Sequence, residues 1–290
     1  TVLQVYNSAV QQSCAAIAAS NNSTIINTVA VGTINISGGT IDDQAGITGL
    51  STTLKVATAW NQTGGLVTNT STAGINEILF DSGATSTYNG LTATANFIYW
   101  SFKVTNNTQV TLNTNLAING ITGTQILFVE LGSELTAGTF VITHGAAFVA
   151  GSGFTIDGVL KTANLNGFSG STTTALSSTN TPVITLGASS LIEYNATSTQ
   201  VVSARTDYAN VTFTGGSKTM PTGTTTLSKT LTINTGATYN GTTNNPVLNI
   251  GGNFSNSGTF NQGTGLLTFT NGGAANTILG STATTFNSVT

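Results

Sequence analysis

From Gly32 onward the chain keeps one rhythm: three to five residues in which apolar and polar side chains alternate, a turn of Gly, Asn, Ser or Thr, then the next run. Val110–Leu112, Leu116–Ile118, Thr139–Ile142, Phe154–Ile156, Val183–Leu186, Asn210–Phe213, Leu231–Ile233, Val247–Ile250 and Leu266–Phe269 are such runs. They often start roughly 6 to 10 residues apart, closer than the hairpin-joined strands of a sandwich usually allow. Three of them fill a coil of about 20 to 30 residues, the size of one solenoid rung. The pattern predicts an all-β fold, a right-handed parallel β-solenoid over residues 32–290, in which each strand pairs with its counterpart one coil away. A β-sandwich pilin-like fold, with residues 1–31 as a donated strand, is the alternative.

Charge supports stacking. Only 5% of the residues are charged, against about 25% in ordinary globular domains, and the 61 residues from Thr230 to Thr290 contain no charged side chain. In a solenoid, like charges at equivalent positions sit about 4.8 Å apart and repel, whereas Asn, Ser and Thr can hydrogen-bond from rung to rung. Disorder is excluded by the 39% of hydrophobic residues, largely Val, Ile, Leu and Phe, placed in alternating runs. With nine acids, six bases and a formal net charge of −3, the chain has no field to recruit nucleic acid or an anionic membrane. No apolar stretch is long enough to span a bilayer.

Residues 1–31 read differently. Ala9–Ala19 carries helix-forming Ala and Gln without a turn signal, which predicts a short helix capping the open end of the solenoid or a segment exchanged with a neighbouring subunit. Cys14 is the only cysteine, so no internal disulfide is possible. The segment Thr285–Thr290 reads as the middle of a strand, as expected of a fragment of a longer protein.

Loose internal repeats accompany the rhythm. Leu191–Tyr194, Gln200–Val202 and Tyr208–Thr212 are echoed by Leu266–Phe269, Asn276–Ile278 and Phe286–Thr290, and Leu116–Asn119 by Leu231–Asn234. The runs Leu231–Asn240, Val247–Phe260 and Gly263–Thr270 resemble repeats of very large surface adhesins of Bacteroidota and related bacteria. The resemblance covers residues 183–290 well and 97–182 weakly. It implies a β-solenoid stalk, export by a type IX route, an extracellular or cell-surface location and a role in attachment or gliding. It supplies no catalytic residues.

Chemistry-bearing residues are sparse, and no catalytic, cofactor or metal site is expected. His144 is the only histidine, without a carboxylate or cysteine close in sequence, and is expected at a strand end. Glu193, Arg205 and Asp207 form the densest charged cluster of the second half and read as a surface ion pair between adjacent strands. A glycan-cleaving solenoid would need its acids to converge in one groove. Asp42 and Asp43 lack the spacing of a calcium loop, and Glu130 and Glu134 read as isolated. Asn-x-Ser/Thr triplets, as at Asn106, Asn210 and Asn253, are as frequent as composition requires. Thr-x-Thr pairs at Thr85, Thr92, Thr222 and Thr224 raise an ice-binding alternative but lack one constant period. The most aromatic segment, residues 97–102, marks Phe97, Tyr99, Trp100 and Phe102 as the candidate interface, although Trp100 is expected to pack inside. The function expected is structural or adhesive: an extracellular stalk or filament subunit that associates with itself, with other surface proteins or with carbohydrate.

Overall fold

The computed structural model describes residues 2–5, 26–37, 40–42, 51–68, 76–91, 97–98, 100–119, 125–145, 153–270 and 276–290. The fold over these residues is a β-solenoid. Every strand pairing among the described residues is parallel, with partners about one coil apart in sequence, which excludes a sandwich built on antiparallel hairpins there. No helix occurs among the described residues, so none there could cross a membrane. The helix expected over 9–19, and Cys14 with it, lies outside the described residues. Within residues 1–31, Val2–Val5 is a strand that pairs in parallel with Thr33–Ile36.

The chain divides into two compact units, one comprising residues 1–136, 142–156 and 179–185, the other residues 137–141, 157–178 and 186–290. In the first unit the ladders join Asn76–Phe80 to Trp100–Val104 and on to Gln125–Val129, and Thr85–Asn89 to Gln109–Leu112 and on to Glu134–Gly138. A third ladder joins Phe97–Ile98, Leu116–Asn119 and Ile142–His144. One coil therefore holds three strands. Ile78 pairs with Phe102, and Val110 with Leu135.

The second unit repeats the scheme with shorter coils. Asn210–Phe213, Ser217–Thr219 and Thr224–Leu227 make one turn, Leu231–Ile233, Thr238–Asn240 and Val247–Ile250 the next, and Phe254–Asn256, Thr259–Asn261 and Leu267–Phe269 the one after. Each stacks on its counterpart in register: Val211 on Leu231 on Phe254, Lys218 on Tyr239 on Phe260, Leu248 on Leu267.

Period-two alternation fixes which side chains enter the core, because successive Cβ atoms point to opposite faces. Ile78, Phe80, Phe102, Val104, Leu127 and Val129 are fully buried. Rings meet both along a ladder and between neighbouring ladders. In the second unit Tyr194 meets Phe213 edge-on at 5.8 Å, Phe213 lies 6.2 Å from Tyr239, and Tyr239 lies 4.6 Å from Phe260. Offset and edge-to-face rings at these distances add to area burial.

The echo between Leu191–Tyr194 and Leu266–Phe269 does not mark equivalent positions. Leu191–Tyr194 stacks on Asn210–Phe213, whereas Leu267–Phe269 belongs to the ladder of Val247–Ile250. The similarity arises because all three faces of the coil impose the same alternation.

Candidate functional site: polar ladders and paired charges

The aromatic segment expected as an interface is largely core. Trp100 and Phe102 are 0% exposed, and Phe102 packs against Phe80 at 5.2 Å and Tyr88 at 5.6 Å. Neither ring reaches solvent: Trp100 packs inside as expected, and Phe102 is corrected from the candidate interface to a packing role. Alternation explains it, since Trp100, Phe102 and Val104 share the inward face of one strand. Phe97 begins a strand paired with Val67 and Ile118. Tyr99 lies outside the described residues.

What the outward positions present instead is a set of polar ladders. Asn35, Asn61 and Asn89 occupy one row of consecutive rungs. Asn61 Nδ2 donates to Asn35 Oδ1 and Asn89 Nδ2 to Asn61 Oδ1, each at 2.9 Å. Beside them runs Thr33, Ala59, Thr87, Thr111 and Thr136. The motif is Thr-x-Asn with a buried residue at x: Ile34 and Tyr88 in Thr33–Asn35 and Thr87–Asn89, while Ala59–Asn61 carries Trp60. The sequence signal that reveals this row is the recurrence of Asn at one coil length, 35, 61 and 89, rather than the scattered Thr-x-Thr pairs. In the second unit Asn249 Nδ2 donates to Thr226 Oγ1 at 3.3 Å across one rung.

Ionisable groups are brought together in opposite-sign pairs. On one face of the first unit Lys55 Nζ lies 2.7 Å from Asp81 Oδ2 and Lys103 Nζ 2.6 Å from Glu77 Oε2, while Thr53 Oγ1 donates to Glu77 Oε1 at 3.0 Å. These residues escaped notice in the sequence because the partners lie one coil apart; opposite charges spaced by a coil length are the signal. Glu130 and Glu134 are not isolated: Glu130 Oε2 accepts the Asn106 backbone N–H at 2.6 Å and Glu134 Oε1 the Thr136 hydroxyl at 3.0 Å. In the second unit the expected cluster splits. Arg205 grips Asp207 with Nε and Nη2 at 2.8 and 2.6 Å, and Glu193 faces Lys161 on the adjacent strand at 3.8 Å. Asp42 ends the strand Thr40–Asp42, and Asp43 lies outside the described residues. No group of three or more His, Cys, Asp or Glu suited to a metal occurs among the described residues.

His144 ends the strand Ile142–His144, as expected, and is fully buried. Its Nδ1 lies 2.8 Å from the Gly145 carbonyl and its ring 6.1 Å from that of Phe154. Burial holds its pKa below the usual imidazole value.

Two buried polar groupings in the second unit gave no sequence signal. Tyr194 and Tyr208 bring their hydroxyls within 2.6 Å of each other, with Ser203 N–H donating to Tyr194 and Tyr208 donating to the Ser203 carbonyl. This network supports the segment Asn164–Ser178, which is inserted between the paired strands Val159–Thr162 and Leu191–Tyr194. Phe168, Ala175 and Leu176 of the insertion are buried, its Ser169 N–H donates to Ser203 Oγ at 2.8 Å, and Arg205 lies over Phe168 at 5.7 Å.

The second grouping is Lys218, an inward-facing lysine that is 0% exposed and donates to the Ala196 carbonyl at 2.6 Å. Burial lowers its pKa from 10.5 to about 8. Between those values the unfolded chain keeps the proton and the folded chain has released it, so stability rises with pH across that window. Buried Tyr88, Tyr194, Tyr208 and Tyr239 act in the opposite sense. Their pKa values are raised above 10.0, chiefly by burial, so stability falls once unfolded tyrosines ionise near pH 10. Chemical denaturation as a function of pH is expected to show a rise above pH 8 followed by a fall above about pH 10. Lys218→Met should abolish the rise and keep the fall; a rise that persists in the variant contradicts the assignment.

Comparison with family models, with curated proteins and with solved structures gives no match for this chain.

Proposed function

We propose that the chain is a non-catalytic structural or adhesive protein of the cell surface, serving as a stalk or filament subunit outside the cell. The observation that carries the reading is how outward positions are used. They go to hydroxyls and amides that bond from rung to rung, as in Asn35, Asn61 and Asn89. Charges that interrupt them are set against opposite charges, as in Lys55 with Asp81 and Lys103 with Glu77, or hydrogen-bonded to neutral groups, as in Glu130 with Asn106. A catalytic centre is built the other way, from ionisable groups whose pKa values are driven apart in a shared cleft. A neutral, hydrogen-bonded surface repeated along a stack suits a protein that bears load or presents contacts, and the likeness of residues 183–290 to surface adhesin repeats points the same way.

Immunogold labelling of intact cells that make the protein, combined with attachment assays on cells from which it is deleted, tests this. Label on surface projections and a several-fold loss of attachment are expected. Label confined to the cell interior, or turnover of any member of a polysaccharide panel by the purified chain, would overturn it.

A further inference from the structure

We propose that the Thr-x-Asn face of the first unit is a contact surface for a second copy of this chain, a step that rests on the surface role above and names the partner. Four consecutive rungs build the face. Thr33 stacks on Ala59, Thr87 and Thr111, while Asn35 stacks on Asn61 and Asn89, all by direct strand register. Behind them Ile34, Trp60, Tyr88 and Leu112 are buried, so the outward side chains stand on a packed core. The two amide bonds at 2.9 Å lock the three Asn side chains in one repeated orientation. The remaining donors and acceptors of these amides therefore recur at the strand spacing of about 4.8 Å.

Three arguments select the occupant. A partner surface must carry the same repeat to meet every rung, and a second parallel β-stack has it by construction; Asn ladders and small interdigitating side chains are what such sheet-to-sheet contacts use. The chain carries a net charge of −3, so two copies approach favourably only through neutral patches, and no charged residue occurs among Thr33, Asn35, Ala59, Asn61, Thr87, Asn89 and Thr111. The nearest charges are Glu134, one rung further and opposite Gln109, and Lys55, four residues before Ala59 on its strand and paired with Asp81. Finally, the area sets the strength. Four rungs of five-residue strands cover roughly 300 Å² per partner, well below the roughly 800 Å² of a standard stable interface. The contact is weak between free molecules and gains force when many copies are held side by side, where effective concentrations reach the millimolar range.

Sedimentation equilibrium of the intact chain up to about 1 mM, the effective concentration of tethered neighbours, tests the proposal. Wild-type protein should associate reversibly, and the double variant Thr87→Lys, Thr111→Lys, which stacks two ammonium groups on adjacent rungs, should weaken association at least tenfold. A control pair on the second unit, Thr232→Lys with Ser255→Lys, which also stack on adjacent rungs, should leave it unchanged, and circular dichroism of each variant verifies folding. Should Thr87→Lys, Thr111→Lys fail to fold, Thr87→Tyr alone, a bulky neutral change, must produce the same loss. Absence of association at that concentration, or equal association in all the variants, overturns the proposal. So does ice-growth inhibition by monomeric protein that the Thr87 variants abolish, because the face would then serve ordered water. Loss of cell attachment without any change in self-association would instead separate the adhesive role from this contact.

Discussion

Phe102→Ala is expected to destabilise the first unit by about 3–5 kcal/mol, the cost of emptying a fully enclosed phenylalanine site. The ring is 0% exposed, stacks in register between Ile78 and Leu127, and touches Phe80 and Tyr88. Its neighbours belong to ladders joined to further rungs, so they cannot collapse into the void without breaking register with the coils on either side. Phe102→Leu fills most of the volume and should cost far less. Urea denaturation of the intact chain, monitored by near-ultraviolet signals of Trp60 and Trp100, reads the difference. If Phe102 served a surface contact, both substitutions would leave the midpoint within about 0.5 kcal/mol of wild type.

Gln200→Leu should also destabilise, for a different reason. The Gln200 amide is fully buried. Its Nε2 donates to the carbonyls of Thr162 and Asn164 at 2.8 and 2.9 Å, and its Oε1 accepts the Ala196 N–H at 3.2 Å. Leucine keeps the approximate volume but leaves the Ala196 N–H without a partner, while the carbonyls of Thr162 and Asn164 each lose one of two donors and keep the N–H groups of Asn195 and Gly167. At about 1–3 kcal/mol for a buried group left without a partner, a loss of about 1–3 kcal/mol is expected. Two of the three groups flank the start of the Asn164–Ser178 insertion, so the loss should be local first. Hydrogen exchange of the backbone N–H groups of Ala175 and Leu176, which donate to Gly167 and Phe168, should accelerate more than that of Thr232 or Ser255 in the stacked coils. Uniform acceleration would show that Gln200 supports the whole unit and not the insertion.

These two residues also mark how far sequence reading reaches. Runs such as Val110–Leu112, Asn210–Phe213 and Val247–Ile250 are strands as expected, because period-two alternation is a local property and the coil length follows from the spacing of turns. Which inward positions meet is not local. Residues 97–102 look like a surface patch in sequence because their aromatics are contiguous, yet alternation turns Trp100 and Phe102 inward; the pleat decides, not the density of rings. The paired charges at Lys55, Glu77, Asp81 and Lys103 are legible only as opposite charges one coil length apart. Their partners are distant in sequence, and coil length varies: Val159 pairs with Leu191 across the insertion, whereas Leu191 pairs with Asn210 over a much shorter coil. One period aligns the two charge pairs of the first unit, but it does not carry over to the second. Gln200 and Lys218 carry no signal, since a polar residue in an inward slot reads as an interruption of the pattern until the backbone groups it serves are known.

Parallel, in-register stacking underlies each of these expectations, and a distance between labels two turns apart tests it most directly. Thr212, Thr232 and Ser255 occupy one outward row. With Cys14 replaced by serine and nitroxides at Thr212→Cys and Ser255→Cys, the stack predicts backbone positions about 10 Å apart, twice the strand spacing, and strong dipolar broadening of the spin-label spectrum. Spectra without broadening, placing the two sites well beyond 20 Å as a non-stacked chain would on the order of its coil dimensions, would contradict the account.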